Sequence, residues 1–264
     1  MDGLGIEAHR RDFGPFRRKL MEGIQGNTQS IYCYEGSDVL KNRFGFRNQS
    51  ELQIAESFVS KEMERRILDN PRVAVNRFGG SLLSTIHRTL FGETYIWAGS
   101  PRKEAIAKDG TAFCQPENIV PMLKEAFSYI QDKRNYKGQP LGEFVHSLAS
   151  THATLNQIHT FREGNGRTNR LFLTLLARYN GYDLDYSLFP KEMQLEADRR
   201  ASAGDCTALS VMYASMIQPL EKDCRVLVVG GSKCPDLTKP YDDGRRNERF
   251  PDGEVPSKCR MRER

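Results

Sequence analysis

His159-Thr160-Phe161-Arg162-Glu163-Gly164-Asn165-Gly166-Arg167-Thr168-Asn169-Arg170 decides how this chain is read. One imidazole, one carboxylate, two glycines and three guanidinium groups fall within twelve residues, and the apolar run Leu171-Phe172-Leu173-Thr174-Leu175-Leu176-Ala177 follows directly. A glycine-rich turn that runs into an apolar helix suits an anion. The first helical turn leaves backbone N–H groups without intrahelical partners and carries the positive end of the macrodipole. Glycines let the main chain approach such an anion without side-chain clash. Arg167 and Arg170 stand three apart, so they share one side of that helix. Their guanidinium forks match phosphate oxygens.

Upstream of this stretch, Leu141, Phe144, Val145, Leu148, Ala149, Leu155 and Ile158 recur at helical spacing after Gln139-Pro140. That helix delivers His159 at its C-terminal end. Downstream, the central helix runs from about Asn165 to Tyr179 and is stopped by Asn180-Gly181. Helical patterns also fit Leu52-Ala55-Phe58-Val59-Met63-Ile67, between Ser50 and Asn70-Pro71, and Leu82-Leu83-Ile86-Leu90-Phe91. Another fits Ile119-Met122-Leu123-Ala126-Phe127-Ile130, opened by Pro116, and two more cover residues 190–203 and 206–218. Residues 31–48 carry aromatics and glycine with no clear period and read as an irregular segment packed on the core. Lys108-Asp109-Gly110-Thr111 reads as a hairpin turn, and Arg225-Val226-Leu227-Val228-Val229 before Gly230-Gly231 as a short strand and turn. The expected fold is therefore mainly α, a helical bundle with a small β-hairpin. Three parts are expected: a polar lead-in over 1–30, one helical domain over 31–218, and a C-terminal extension over 219–264, short β or disordered.

Bulk properties narrow the class. At 264 residues and 38% hydrophobic, the chain can bury a real core. A formal charge of +5 favours acidic partners such as nucleotide phosphates, yet its dispersal does not suggest a nucleic-acid binder. The six cysteines form no Cys-x-x-Cys pair, which reads as reduced thiols. No apolar run is long enough for a membrane span, and residues 1–30 hold no apolar segment of a secretion signal.

Each group in the central stretch suggests a task. His159 is the best general-base candidate, because imidazole changes protonation near neutral pH. Phe161 reads as an aromatic anchor that pins the loop to the core. Glu163 is the only carboxylate, and one carboxylate beside phosphates suits Mg2+. Gly164, Asn165 and Gly166 would offer backbone N–H groups and one side-chain amide to the phosphates, with Arg167 and Arg170 neutralising their charge. Arg162 reads as a solvated charge, and His87 as an ordinary polar helix residue.

The stretch resembles the signature of the Fic family, His-x-Phe-x-(Asp/Glu)-Gly-Asn-Gly-Arg-x-x-Arg, and every defined position matches. The family often has proline after the histidine, where this chain has Thr160. Tyr32-Cys33-Tyr34, Val39-Leu40-Lys41-Asn42, Trp97-Ala98-Gly99 and Lys108-Asp109-Gly110-Thr111-Ala112-Phe113 extend the likeness over roughly residues 30 to 215. The flanking pattern is most similar to Fic domains of type IV–secreted effectors of the Bartonella kind. This resemblance implies a protein adenylyltransferase that uses ATP and Mg2+ to modify a Tyr, Thr or Ser hydroxyl of a target protein. Such an effector would occupy the bacterial cytoplasm before secretion and the host cytosol afterwards.

It also implies a flap over Ala105, Ile106, Ala107, Lys108, Asp109, Gly110 and Thr111, a hairpin that holds the target segment by strand addition. Other phosphate-linked transfer, including kinase activity, is the alternative within the family, and a nucleotide-binding module without transfer is the alternative outside it. Gly166 keeps the nucleotidyl-transfer form of the motif. Many relatives carry an inhibitory Ser/Thr-x-x-x-Glu-Gly/Asn, whose glutamate pairs with the second signature arginine. Here Glu22, Glu35, Glu117 and Glu163 precede Gly or Asn, but Arg18, Ile31, Phe113 and His159 stand four residues earlier. The chain is therefore expected to lack that inhibitor, and a separate small antitoxin-like partner could supply one. Related effectors carry a later secretion domain of about a hundred residues, for which the stretch after Pro219 is too short.

Overall fold

The computed structural model describes residues 29–108, 111–220 and 225–242. Residues 1–28 of the expected lead-in, Asp109 and Gly110 of the expected flap, and the tail from residue 243 lie outside them.

Helix α1 (Gln49–Leu68) starts at Asn48, whose side chain accepts from Ser50 N and Glu51 N, and ends at Asp69 before Pro71. Its expected apolar stripe is rotated. Leu52, Glu56, Ser60 and Ile67 face inward, whereas Phe58 is 75% exposed. Strand β1 (Arg72–Val75) leads into α2 (Gly80–Phe91), which buries Leu82, Leu83, Ile86, Leu90 and Phe91 as its spacing predicts. Strands β2 (Ala107–Lys108) and β3 (Thr111–Ala112) pair antiparallel, with Ala107 opposite Ala112, and form the expected hairpin. Helix α3 (Pro116–Asp132) opens on proline, whose missing N–H costs nothing in a first turn.

Helices α4 (Leu141–Ile158) and α5 (Asn165–Tyr179) follow, separated only by the central loop. Leu171 through Ala177 of α5 are buried without exception. A helix apolar on all sides must be surrounded, and α5 packs against α2 and α4. Each buried leucine or phenylalanine contributes on the order of 2 kcal/mol, so the helix that starts at the loop is also the centre of the core. Strand β4 (Tyr182–Leu184) precedes α6 (Lys191–Ser202) and α7 (Thr207–Met216). The last pattern ends two residues earlier than expected, because β5 (Ile217–Pro219) pairs antiparallel with β4.

Strand β6 (Arg225–Val228), expected from its β-branched run, lies parallel to β1 with Val73 opposite Val226. Residues 31–48 pack as an irregular segment whose Tyr32, Cys33, Val39 and Leu40 join the core. Among the described residues Cys33, Cys114, Cys206 and Cys234 are free thiols, and no helix is long and apolar enough to cross a membrane.

Candidate active site

Two left-handed residues frame the loop between α4 and α5. His159 ends α4 at φ 49° and ψ 62°, and Gly164 starts α5 at φ 80°. A Cβ at position 164 would lie 2.4 Å from Cε2 of Phe91, so glycine is required there by backbone and by space. Asn165 holds the loop closed: its Oδ1 accepts from Phe161 N at 2.8 Å, and its Nδ2 donates to Phe161 O at 2.7 Å. The amide thus bonds the main chain at both ends, which leaves the second Nδ2–H for the expected contact with phosphate. The Gly164 N–H is likewise committed, donating to Glu163 Oε1 at 2.9 Å. The backbone N–H groups left without an intrahelical acceptor are therefore those of the first turn of α5, Asn165 to Arg167.

The His159 ring stacks on Phe113, just beyond the hairpin, with centroids 3.8 Å apart and 17° between planes. Its Nδ1 lies 3.3 Å from Asn156 O. A carbonyl can only accept, so the Nδ1–H tautomer is favoured and the basic lone pair sits on Nε2. Phe161 is fully buried and stacks on His87 at 3.8 Å. His87 is not the ordinary polar residue the sequence suggested. It is fully buried, its Nδ1 accepts from Gly99 N at 2.8 Å, and its Nε2 lies 2.9 Å from Glu163 O. One neutral imidazole thus ties the Trp97-Ala98-Gly99 segment to the loop. Burial holds it neutral, lowering its pKa to about 4.

The inward polar face of α1 explains its rotation. Arg167 donates to Glu56 and to Ser60 Oγ (2.9 Å), and its guanidinium lies 4.6 Å from the Phe91 ring centre. Tyr95 O–H donates to the second oxygen of Glu56. Burial and that carboxylate raise the Tyr95 pKa well above its ordinary value, so it remains a donor. A guanidinium this close to the core needs a counter-charge and an acceptor, which Glu56 and Ser60 supply from the inward face of α1 while Phe58 faces out. Arg170 is different. Among the described residues it makes no ion pair within 4 Å; its guanidinium lies 5.9 Å from the Tyr186 ring centre. A Cβ on Gly166 would meet Arg170 Nη1 at 3.4 Å, an ordinary contact with the tip of a flexible side chain. Glu64 of α1 is near enough for both arginines to lower its pKa, against a larger rise from burial.

The Glu163 side chain is 48% exposed and its Oε1 lies 3.9 Å from Arg167 Nη2. The described residues hold no group of three or more His, Cys, Asp or Glu arranged for a metal. A lone accessible carboxylate at an anion-binding helix start fits a hard divalent ion whose other oxygens come from phosphates and water, as Mg2+ prefers.

Around the hairpin, Ala105 and Ala107 are exposed, Ile106 is half-buried, and Phe113 N donates to Ile106 O at 3.3 Å. Arg162 is not a solvated charge: its Nε donates at 2.8 Å to Glu104, which also accepts from Ser30 Oγ and Ile31 N. Arg102, which the sequence did not single out, is buried beneath the same segment.

A model of the Fic/DOC family matches residues 80–177. The probable protein adenylyltransferase y4lH of Sinorhizobium fredii is 33% identical over 186 residues, 70% of this chain and 94% of that relative. The chain belongs to the Fic/DOC family. Two solved structures are similar to it. BepC, a VirB-translocated effector of Bartonella tribocorum with bound AMPPNP, is 26% identical with a TM-score of 0.68, over 72% of this chain and 97% of that one. The N-terminal Fic domain of a VirB-translocated Bep effector of Bartonella quintana, with bound ADP, is 28% identical with a TM-score of 0.68, over 72% and 95%.

Proposed function

We propose that this chain is a protein adenylyltransferase that moves AMP from ATP to a Tyr, Thr or Ser hydroxyl of a target protein. The observation that carries this is the loop from His159 to Gly164, which sets an imidazole at the end of one helix and, five residues later, a helix start whose first-turn N–H groups suit phosphate. Nε2 of His159 takes the proton of the target hydroxyl. The freed oxygen attacks the α-phosphorus, the bond to the β-phosphate oxygen breaks, and pyrophosphate leaves towards Arg167 and Arg170. Arg167 arrives pre-oriented by Glu56 and Ser60, so little reorganisation is needed as charge develops. Glu163 would hold Mg2+, which supplies further neutralisation of the phosphates when bound. The hairpin offers backbone groups to an extended target segment.

The nucleotides bound by the two Bartonella structures and the name of the Sinorhizobium relative support this. That both Bartonella proteins are VirB-translocated effectors supports a role as a secreted effector, which would be made in the bacterial cytoplasm and act on proteins of the host cytosol. A separate small antitoxin-like protein would inhibit such an enzyme by pairing a carboxylate with Arg170. The test is transfer itself. Labelled ATP, Mg2+ and host lysate should yield a labelled protein, identified by mass spectrometry, and His159→Ala should remove the label. General-base loss costs about 10²–10⁴-fold, so undiminished labelling by the variant would refute the role.

A further inference from the structure

Arg102 is 2% exposed, and among the described residues no carboxylate pairs with it; the side-chain hydrogen bonds it makes go to main-chain carbonyls. Nε donates to His159 O at 2.9 Å and Nη1 to Glu104 O at 2.7 Å. Nη2 donates to Cys114 O and, at 3.5 Å, to Ile158 O. The Arg102 main-chain N–H adds a bond to Thr160 O at 2.9 Å. These acceptors belong to two structures. Ile158 and His159 close α4, where carbonyls lack helical partners and the dipole is negative. Glu104 and Cys114 are the two feet of the hairpin, one before β2 and one after β3. One planar, rigid fork therefore fastens both feet of the hairpin to the backbone of the residue that carries the imidazole.

We propose that Arg102 is a positioning residue for transfer, fixing the distance between the hairpin and the His159 ring and so where a hydroxyl on a docked segment meets Nε2. This rests on the adenylyltransferase reading above. Phe113 lies between the hairpin and Cys114 and stacks on the His159 ring, so a shift of the feet moves the ring as well. The nucleotide side of the site stands apart from Arg102: Arg167 is held by α1, and Gly164 and Asn165 by their own loop. A lysine side chain in its place would keep the charge but offers a single nitrogen, which cannot reach the carbonyls of His159, Glu104 and Cys114 in fork geometry.

Arg102→Lys should then lower kcat for transfer by about 100-fold, the cost of roughly 1 Å of misplacement, while ATP affinity stays within about 2-fold. In the same variant the nuclear resonance of the His159 ring, shifted by the Phe113 ring stacked on it, should move. Transfer at the parent rate, loss of ATP binding in step with transfer, or an unmoved His159 resonance would each overturn the proposal. If the unsubstituted protein transfers nothing, the adenylyltransferase reading fails, and the His159 resonance still decides whether Arg102 sets the ring. Should the lysine variant not fold, hydrogen exchange on the parent decides instead. The amides of Arg102, Phe113 and Cys114, bonded to Thr160, Ile106 and Gln157, should exchange as slowly as those at the end of α4. Fast exchange there would show that the feet are not fastened.

Discussion

Removing the carboxylate of Glu56 should expose how strongly the first signature arginine depends on α1. Its side chain is 9% exposed and receives hydrogen bonds from Arg167 and Tyr95. Breaking one side of a buried pair costs about 3–5 kcal/mol. The Arg167 side chain is 24% exposed and keeps Ser60, so it recovers some hydration, and Glu56→Ala should cost about 2–3 kcal/mol. At about 2–4 °C per kcal/mol for a domain of this size, the melting temperature should fall by roughly 5–10 °C. Glu56→Gln keeps an acceptor for Tyr95 and removes only the charge, so its loss should be smaller. The same variants take away the nearer anion of Arg167, leaving Glu163 at 3.9 Å, and a triphosphate can take the place of Glu56. ATP with Mg2+ should therefore raise the melting temperature of either variant by more than it raises that of the parent. Thermal melts with and without saturating ATP measure both effects. A variant as stable as the parent, or one that gains no more from ATP than the parent does, would refute the idea that Glu56 and phosphate share Arg167.

Three further outcomes are expected. Gly164→Ala should lose about 2–5 kcal/mol in urea denaturation, combining a left-handed backbone with a Cβ driven against Phe91, and an unchanged midpoint would contradict the close approach. His87 has its pKa lowered to about 4 in the folded chain from an ordinary 6.5, so between those values the unfolded state binds the extra proton. Its contribution is complete above about pH 6.5 and fades as pH falls towards 4, by up to about 3 kcal/mol. The stability gap between parent and His87→Gln should shrink by most of that amount from pH 7 to pH 4.5, and a gap that stays constant would show that His87 titrates normally. Glu163→Ala should weaken the Mg2+ dependence of ATP binding in calorimetry, and an unchanged dependence would place the metal elsewhere.

The central loop, its two flanking helices and the hairpin were legible because each rests on local chemistry. Glycine at 164, the apolar run at 171–177 and the Asp-Gly turn need no distant partner to be read. What escaped depends on pairing across the chain. Glu56 and Ser60 face inward only because Arg167, more than a hundred residues later, needs them. The signal was present, since Leu52, Glu56, Ser60, Met63 and Ile67 form a stripe at steps of 4, 4, 3 and 4, but polar residues within it read as surface. Strand β1 is four residues long and meaningless without β6, its partner from the far end of the fold. Arg102 could not be seen at all: a single arginine after Pro101 resembles any surface charge until the carbonyls of two separate segments are found around it.

The central claim concerns which phosphorus of ATP is attacked. Two incubations settle it, one with ATP labelled at the α-phosphate and one with ATP labelled at the γ-phosphate, each with Mg2+ and host lysate. Nucleotidyl transfer puts the α-label on a protein hydroxyl and releases the γ-label as pyrophosphate, and His159→Ala abolishes the labelling. A protein that acquires the γ-label and not the α-label would contradict the account, because the donor would then lie in the reverse sense along the arginines of α5.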